Sequence, residues 1–175
     1  KILISPVDSR VDKPEKIAQL TKELTNVSNK LKNEGMTLAY HNHAREFKIF
    51  NDSTFWDYLA QNTPKHLALQ LDIGWANFAG VEPVNYVKRY PNRTLTTHIK
   101  IRTTDDKKLW DKIDDNVGIV IGKDSYDWKT LIETLMNVGG TQWLVVEQEE
   151  THVDKSRLQT VINSIHGLQQ VLKGI

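Results

Sequence analysis

The feature that most constrains this chain is a regular alternation of strand and helix patterns. Five short apolar stretches with strand character are separated by segments whose apolar residues recur every three or four positions. The five stretches read KILIS, MTLAYHNH, LALQLDIGW, LTTHIKIR and WLVVEQEE. Strands that alternate with helices form right-handed crossovers and a parallel sheet. The sequence therefore predicts one α/β domain that covers residues 1–175.

The ends of the helices are predicted from capping patterns. Asp12 and Glu15 suit the start of the first helix, Pro14 fits its first turn and Gly35 is a natural stop. The second helix is predicted to open at Asp52 and Ser53, and the last near Asp154. The apolar positions of three helices are Ile17, Leu20, Leu24, Val27 and Leu31; Trp128, Leu131, Ile132, Leu135 and Met136; and Leu158, Val161, Ile162, Ile165, Leu168 and Leu172.

Composition excludes several classes of protein. The 23 basic and 22 acidic residues leave a formal net charge of +1, which gives no electrostatic reason to expect nucleic acid or an anionic membrane as partner. The sequence contains no run of about 18 apolar residues, so no membrane span is predicted. The absence of cysteine excludes disulfides, thiol nucleophiles and cysteine-zinc sites. It does not distinguish between a bacterial cytoplasmic and a periplasmic location.

Polar residues with metal-ligand chemistry end four of the five predicted strands. His41 and His43 end the second strand, Asp72 the third, His98 the fourth and Glu147 the fifth. Binding groups of parallel α/β proteins gather at the carboxyl ends of the strands. Imidazole nitrogens and carboxylate oxygens together suit a divalent ion such as Mn, Zn, Co or Mg. The pattern predicts that His41, Asp72, His98 and Glu147 surround one metal ion.

Structural explanations exist for the individual residues. Asp72 can cap the loop that begins at Gly74, and His98 can be a buried structural histidine. Glu147 is harder to explain in this way, because a buried carboxylate in an apolar run needs a partner. The occurrence of all of them at successive strand ends favours a shared site.

The motifs YHNHAREF, LDIGWANFAG, VEPVNYVKRYPNR, HIK, IGKDSYDW and VVEQE occur here in the order seen in the xylose isomerase-like TIM barrels, the sugar phosphate isomerase/epimerase family. The sequence resembles that family from Lys1 to Ile175. A barrel of this kind has eight strands. The resemblance implies an incomplete barrel of TIM-barrel type, with five of eight βα units from its C-terminal part. Three further strands would precede Lys1.

The resemblance also assigns roles to residues. Asp72 matches the aspartate of the LD-x-G motif, His98 the histidine of H-x-K, and Glu147 the glutamate of the last strand. His41 stands where many relatives have a metal-binding glutamate. The substrate would face His43, Trp75 and Lys100.

Two departures from the family pattern bear on the mechanism. Ile101 replaces the aspartate that often follows H-x-K. Epimerases of this group use two metal-bound glutamates, and here only Glu147 matches. A two-glutamate mechanism is therefore not predicted.

The resulting hypothesis is a metal-dependent isomerase or epimerase that acts on a small sugar substrate: a keto-sugar, polyol or sugar phosphate. Glu147 would be the base, with His43 or Lys100 as acid or oxyanion partner. A lyase or dehydratase on the same site and a non-catalytic sugar-binding barrel are alternatives, and a homo-oligomer stays open. Gly122 and Lys123 could contact a phosphate, but a loop before a helix explains them equally well.

Overall fold

A computed structural model of the chain describes residues 1–102, 119–149 and 156–175. Five strands form one parallel sheet: β1 (Ile2–Ser5), β2 (Thr37–His41), β5 (Ala68–Asp72), β6 (Thr96–Ile99) and β7 (Trp143–Val146). Their order in space is β1-β2-β5-β6-β7. Two short antiparallel strands, β3 (Ile49–Phe50) and β4 (Ser53–Thr54), form a separate hairpin. The predicted α/β fold with a parallel, incomplete barrel is confirmed.

Helices cover the sheet on its convex side. They are α1 (Ile17–Asn33), α2 (Phe55–Gln61), α3 (Ile73–Phe78), α4 (Pro83–Arg89), α5 (Trp128–Thr134) and α6 (Arg157–Lys173). A 3₁₀ turn spans Arg45–Phe47, and a π-helical turn, Leu135–Gly139, continues α5. The side chains of Tyr40, Trp56, Leu59, Leu69 and Leu131 are among those that form the core between the layers. Within the described residues, no helix combines the length and the apolar character needed to cross a membrane.

The first helix begins later than its capping pattern predicts. It starts at Ile17, after Lys16, and no side chain caps it. Val11 is fully buried, and the Asp12 carboxylate accepts a hydrogen bond from Lys48 Nζ at 2.8 Å. Because these contacts fix the segment after β1 as a series of turns, Asp12 is not available as a helix cap.

The buried face of α1 also differs from the predicted stripe. Val27 is 46% exposed, whereas Ser28 is buried. A helix turns about 100° per residue, so Ser28 lies about 20° from the direction of Ile17, while Val27 lies about 80° from it. The buried face follows Ile17, Leu20, Leu24 and Ser28, and apolar character alone misplaces it by one residue.

The second helix and the third long strand are each displaced from their predicted limits. Asn51 and Asp52, both with positive φ, form the two-residue turn of the hairpin, and Thr54 instead caps α2. The predicted strand LALQLDIGW ends at Asp72, because the Asp72 carboxylate accepts from the Trp75 amide at 2.8 Å and begins α3.

The last two helices bury fewer apolar residues than predicted. Met136 lies in the π-helical turn and is 55% exposed. In α6, Leu168 is buried, Val161 and Ile162 are half-buried, and Leu158, Ile165 and Leu172 are exposed. The helix α6 starts at Arg157 with Ser156 as its N-cap, and Asp154 lies outside the described residues.

Close approach of α6 to the preceding loop explains which of its side chains are buried. A Cβ on Gly167 would lie 1.9 Å from the Ile121 carbonyl oxygen, so the helix backbone touches the loop directly. Only small side chains fit beside such a contact, and Thr160 and Ser164 share the buried face with Leu168.

The concave side of the sheet is open. In the described part of the chain, β1 and β7 each pair with one neighbour. A cleft of about 490 Å³ lies between them, lined by Ile2, Ile4, Trp143 and Val145 among others. Trp143 is 64% exposed there. The carboxyl ends of all five strands lie at one rim of this half-barrel, because the strands are parallel.

Candidate metal and substrate site

His41 ends β2 and is held in one orientation by its neighbours. Its Nδ1 lies 3.1 Å from Gln70 Oε1, and Gln70 donates in turn to Thr96 Oγ1. The glutamine oxygen can only accept, so Nδ1 of His41 carries the proton and the lone pair is on Nε2. Burial lowers the pKa of His41 to about 4, so the ring is neutral at neutral pH. A neutral imidazole with its lone pair on Nε2 can bind a metal ion.

Asp72 ends β5 and is completely buried. Its Oδ1 caps α3, while its Oδ2 lies 3.8 Å from His41 Nε2, 3.4 Å from His98 Nδ1 and 3.0 Å from Lys100 Nζ. None of these contacts has hydrogen-bond geometry, so Oδ2 is a buried acceptor without a donor. The predicted capping role and the predicted ligand position therefore belong to different oxygens of the same carboxylate.

Asn42 fixes the backbone at Asp72. Its Oδ1 accepts from the Asp72 amide at 2.8 Å, and its Nδ2 donates to the Asp72 carbonyl at 3.2 Å. The asparagine is fully buried. This paired contact joins the ends of β2 and β5 and sets the position of the Asp72 carboxylate.

His98 and Glu147 bring the next two strand ends to the same point. His98 pairs in register with Asp72, and its Nδ1 lies 2.6 Å from Glu147 Oε2. Burial alone would lower the pKa of His98, but the carboxylates of Asp72 and Glu147 outweigh burial and raise it to about 9. The contact with His98 and that with Lys100 together lower the pKa of Glu147 to about 2. In the metal-free protein, a protonated His98 thus lies between two carboxylates.

Lys100 places a second positive charge beside these carboxylates. It is 1% exposed, and its Nζ lies 2.9 Å from both Glu147 Oε2 and Glu149 Oε2. Glu149 also accepts from Arg102 Nη1 at 2.6 Å, and the Arg102 guanidinium stacks 3.5 Å from the centre of the Trp75 ring.

The sequence analysis missed four residues that orient this site: Asn42, Gln70, Arg102 and Glu149. A signal for two of them was present. Residues two apart on a strand share a face, so Glu149 continues the face of Glu147, and Arg102 that of His98 and Lys100. The asparagine and the glutamine carry no such signal, because their partners depend on the register between strands.

The predicted substrate residues His43 and Trp75 line a cavity of about 470 Å³ next to the cluster. The His43 ring lies 4.9 Å from that of His41 and 5.2 Å from that of Trp75. The His43 amide donates to the buried Glu46 carboxylate at 2.8 Å. Lys100 does not line this cavity, but its Nζ lies 5.5 Å from the Trp75 ring.

The geometry fits a divalent metal ion. One ligand atom each from His41, Asp72 and His98 lies within 4.8 Å of the others. Glu147 is not part of this group of three, but its Oε2 lies 2.6 Å from His98 Nδ1. Tetrahedral ligands about 2.0–2.1 Å from zinc lie about 3.3 Å from one another, close to the 3.4 Å between His98 and Asp72. Among the described residues, Asp72 Oδ2 is a buried oxygen atom without a hydrogen bond, and its contacts with His98 Nδ1 and Lys100 Nζ are ion pairs, an arrangement that suits an atom that binds an ion.

Comparison with protein families identifies the architecture. The family model described as xylose isomerase-like TIM barrel matches residues 2–170. A curated relative, the rhizopine catabolism protein MocC of Rhizobium meliloti, is 26% identical over 137 residues, which are 74% of this chain and 42% of MocC.

Two solved structures share the fold. A sugar phosphate isomerase/epimerase from Parabacteroides distasonis has a TM-score of 0.77 at 21% identity over 96% of this chain and 57% of its own. The IOLI protein, solved with a bound zinc atom, has a TM-score of 0.63 at 14% identity over 99% of this chain and 62% of its own. The chain spans between about two-fifths and three-fifths of the length of these proteins.

Proposed function

This chain belongs to the xylose isomerase-like TIM barrel family, and from that premise we propose that it carries the metal site of a sugar isomerase or epimerase. The ion would be held by His41, Asp72, His98 and Glu147. The substrate would be a keto-sugar, a polyol or a sugar phosphate. The observation that carries the proposal is the convergence of His41, Asp72 and His98 from three adjacent strands, with Glu147 of the next strand end in contact with His98.

The donor set determines which ions suit the site. Two imidazole nitrogens and two carboxylate oxygens favour Zn, Mn or Co over Ca, which prefers oxygen ligands only. Two neighbouring side chains support this set of ligands. Gln70 fixes the tautomer of His41, and Asn42 fixes the position of the Asp72 backbone. The zinc atom in the IOLI protein agrees with this choice.

A bound divalent ion would act as a Lewis acid and stabilise negative charge on the carbonyl and hydroxyl oxygens of the substrate. Glu147 is ionised above about pH 2 and is the more accessible carboxylate, with 35% of its side chain exposed. It can therefore take a proton from the carbon next to the carbonyl. Because its pKa is low, Glu147 is a weak base, and the proton it removes must be acidified by nearby positive charge.

Lys100 and His43 are the groups that can serve as the acid or the oxyanion partner. Lys100 lies 2.9 Å from Glu147, so its charge is close to the enediolate oxygens that form when the proton leaves. His43 faces the cavity with a buried Nδ1 that has no hydrogen-bond partner. Either group can supply a proton to an oxygen of the substrate.

The test is to measure bound metal. We expect the full natural chain to bind about one divalent ion, and Asp72→Asn and Glu147→Gln to bind it at least tenfold more weakly, since even the loss of outer groups weakens metal sites by about 10–100-fold. Asp72→Asn can keep the α3 cap through its amide oxygen. Glu133→Gln, on an exposed helix surface, is the control. Unchanged metal binding in both site variants would disprove the proposed site.

A lyase or dehydratase is a second candidate, favoured by one observation. His41 lies where many relatives have a second glutamate, and Asp72 is fully buried, so Glu147 is the one accessible carboxylate among the four candidate ligands. A single base suits removal of one proton followed by loss of a leaving group from the next carbon. Incubation with keto-sugars distinguishes the two reactions, because an isomerase gives an isomeric sugar and a lyase an unsaturated product.

A further inference from the structure

An arginine that lines the cavity beside the candidate metal site has no ion-pair partner among the described residues. Arg45 lines the cavity from the 3₁₀ turn after β2 and is half-buried. Its guanidinium forms no hydrogen bond or ion pair with any of the residues that the structure describes. The other charged side chains of the cavity, Lys48 and Asp12, neutralise each other through a 2.8 Å ion pair. Arg45 is therefore the charged residue of the cavity lining that has no ion pair within the described part of the chain, although its charge also favours the ionised form of the nearby Asp12 and Glu46 carboxyls.

Two further polar groups in this cavity have no hydrogen-bond partner in the part of the chain that the structure describes. His43 Nδ1 and Trp75 Nε1 are buried nitrogen atoms without a hydrogen bond. Buried polar groups in folded proteins are nearly always hydrogen-bonded, so unpaired ones in a cavity indicate that a ligand or water completes them. An indole N–H can only donate, and a guanidinium only donates, so the missing partner must accept hydrogen bonds.

The position of the cavity relates it to the proposed reaction. His43 lies between the cavity and His41, with ring distances of 4.9 Å on one side and 5.2 Å to Trp75 on the other. A sugar with its carbonyl end at the metal cluster would extend past His43 towards Arg45. We propose that Arg45, with His43 and Trp75, binds an anionic group of the substrate, a phosphate or a carboxylate, at the end remote from the reacting carbons.

This inference rests on the proposed function for the identity of the sugar, but not for the anion site itself. A planar guanidinium matches both carboxylate and phosphate geometry through paired hydrogen bonds. The two anions are distinguished by comparing fructose 6-phosphate, 5-keto-D-gluconate and the neutral D-fructose as calorimetric probes. The full natural chain is titrated with each probe, with and without a chelator.

We expect one of the anionic probes to bind at least about tenfold more tightly than D-fructose, the range of a charge-assisted hydrogen bond. Arg45→Gln should remove this preference, so that this variant binds the anionic probes and D-fructose with similar affinity. Arg157→Gln, at an exposed arginine at the start of α6, should retain it. In the unaltered protein, inorganic phosphate should compete with the preferred probe, so the site is tested even without a folded variant.

Three results would overturn the inference: equal affinity for all three probes, a preference that survives Arg45→Gln, or failure of inorganic phosphate to compete. The proposed function fails separately. If the protein binds no divalent ion but keeps an Arg45-dependent preference in the presence of the chelator, the metal proposal is wrong and the anion site stands. If the protein binds a divalent ion but shows no preference for an anionic probe, the anion site is wrong and the metal proposal stands.

Discussion

Lys100 passes over Gly74 so closely that a Cβ at residue 74 would lie 2.7 Å from Lys100 Cγ and 3.2 Å from the Lys100 carbonyl oxygen. The glycine of the LDIGW motif therefore leaves room for the lysine that contacts Asp72 and Glu147. Its role is steric, because its φ angle lies outside the positive range that favours glycine.

Gly74→Ala should displace Lys100 and reduce both stability and activity. Forcing a methyl group into a packed region costs about 1–3 kcal/mol. The measurements are urea unfolding and kcat. Gly174→Ala is the control, since a Cβ there would meet its nearest atom at an ordinary 3.4 Å. Equal stability and activity of the Gly74→Ala variant and the unaltered protein would contradict the close contact.

The sequence predicts the candidate ligands because parallel strands present their carboxyl ends at one edge. His41, Asp72, His98 and Glu147 could be chosen without knowledge of their distances. Gln70 and Asn42 could not, since their contacts with His41 and Asp72 exist only in one register of β2 against β5. Pairing register is a tertiary property that the chain pattern does not contain.

The same limit explains the errors in the helices. Periodicity located α1 and α6, but the buried face of each depends on what packs against it. In α1, Ser28 is buried although Val27 was predicted to be. In α6, the backbone at Gly167 approaches the neighbouring loop so closely that larger side chains do not fit on the buried face. Capping patterns failed at Asp12 for a similar reason, since Lys48 binds that carboxylate.

Asn42→Ala should weaken metal binding although Asn42 is not a candidate ligand. Loss of its two hydrogen bonds frees the backbone of Asp72, and loss of an orienting group typically costs roughly 10–100-fold in metal affinity. Titration with Zn in competition with a chromogenic chelator measures the change. Asn62→Ala, which removes one exposed hydrogen bond, should bind metal normally. Normal affinity in both variants would show that Asn42 does not position Asp72.

Metal affinity should increase with pH and level off near pH 9. A metal must displace the proton of His98, whose pKa is raised to about 9, whereas His41 is already neutral above about pH 4. Affinity should therefore rise by up to about tenfold per pH unit between pH 7 and 9. Chelator competition at several pH values measures it. An affinity that stays constant over this range would show that His98 binds no proton there.

The stability of the metal-free protein should change in the opposite direction. The folded pKa of His98, about 9, lies above the ordinary value of 6.5, so the protonated ring stabilises the fold fully below pH 6.5. That contribution disappears as the pH rises through about 9. In the presence of a chelator, Tm should therefore fall between pH 7 and 9.5, and His98→Gln should show a smaller fall. A Tm that rises with pH over this range would contradict the stabilising effect of protonated His98.

Asp57 should be important for stability and not for activity. Its buried carboxylate accepts hydrogen bonds from the Thr54 backbone and hydroxyl groups at the start of α2, and from Arg89 and Tyr90 at the end of α4. Asp57→Ala removes the carboxylate half of this capping box and leaves the buried donors of Thr54 unpaired, which should cost roughly 2–3 kcal/mol in urea unfolding. Asp127→Ala, which removes an exposed cap from α5, should cost about 1 kcal/mol.

Metal binding should persist in both variants, because neither residue contacts the cluster. A loss of metal from folded Asp57→Ala protein would mean that the α2–α4 contact supports the site.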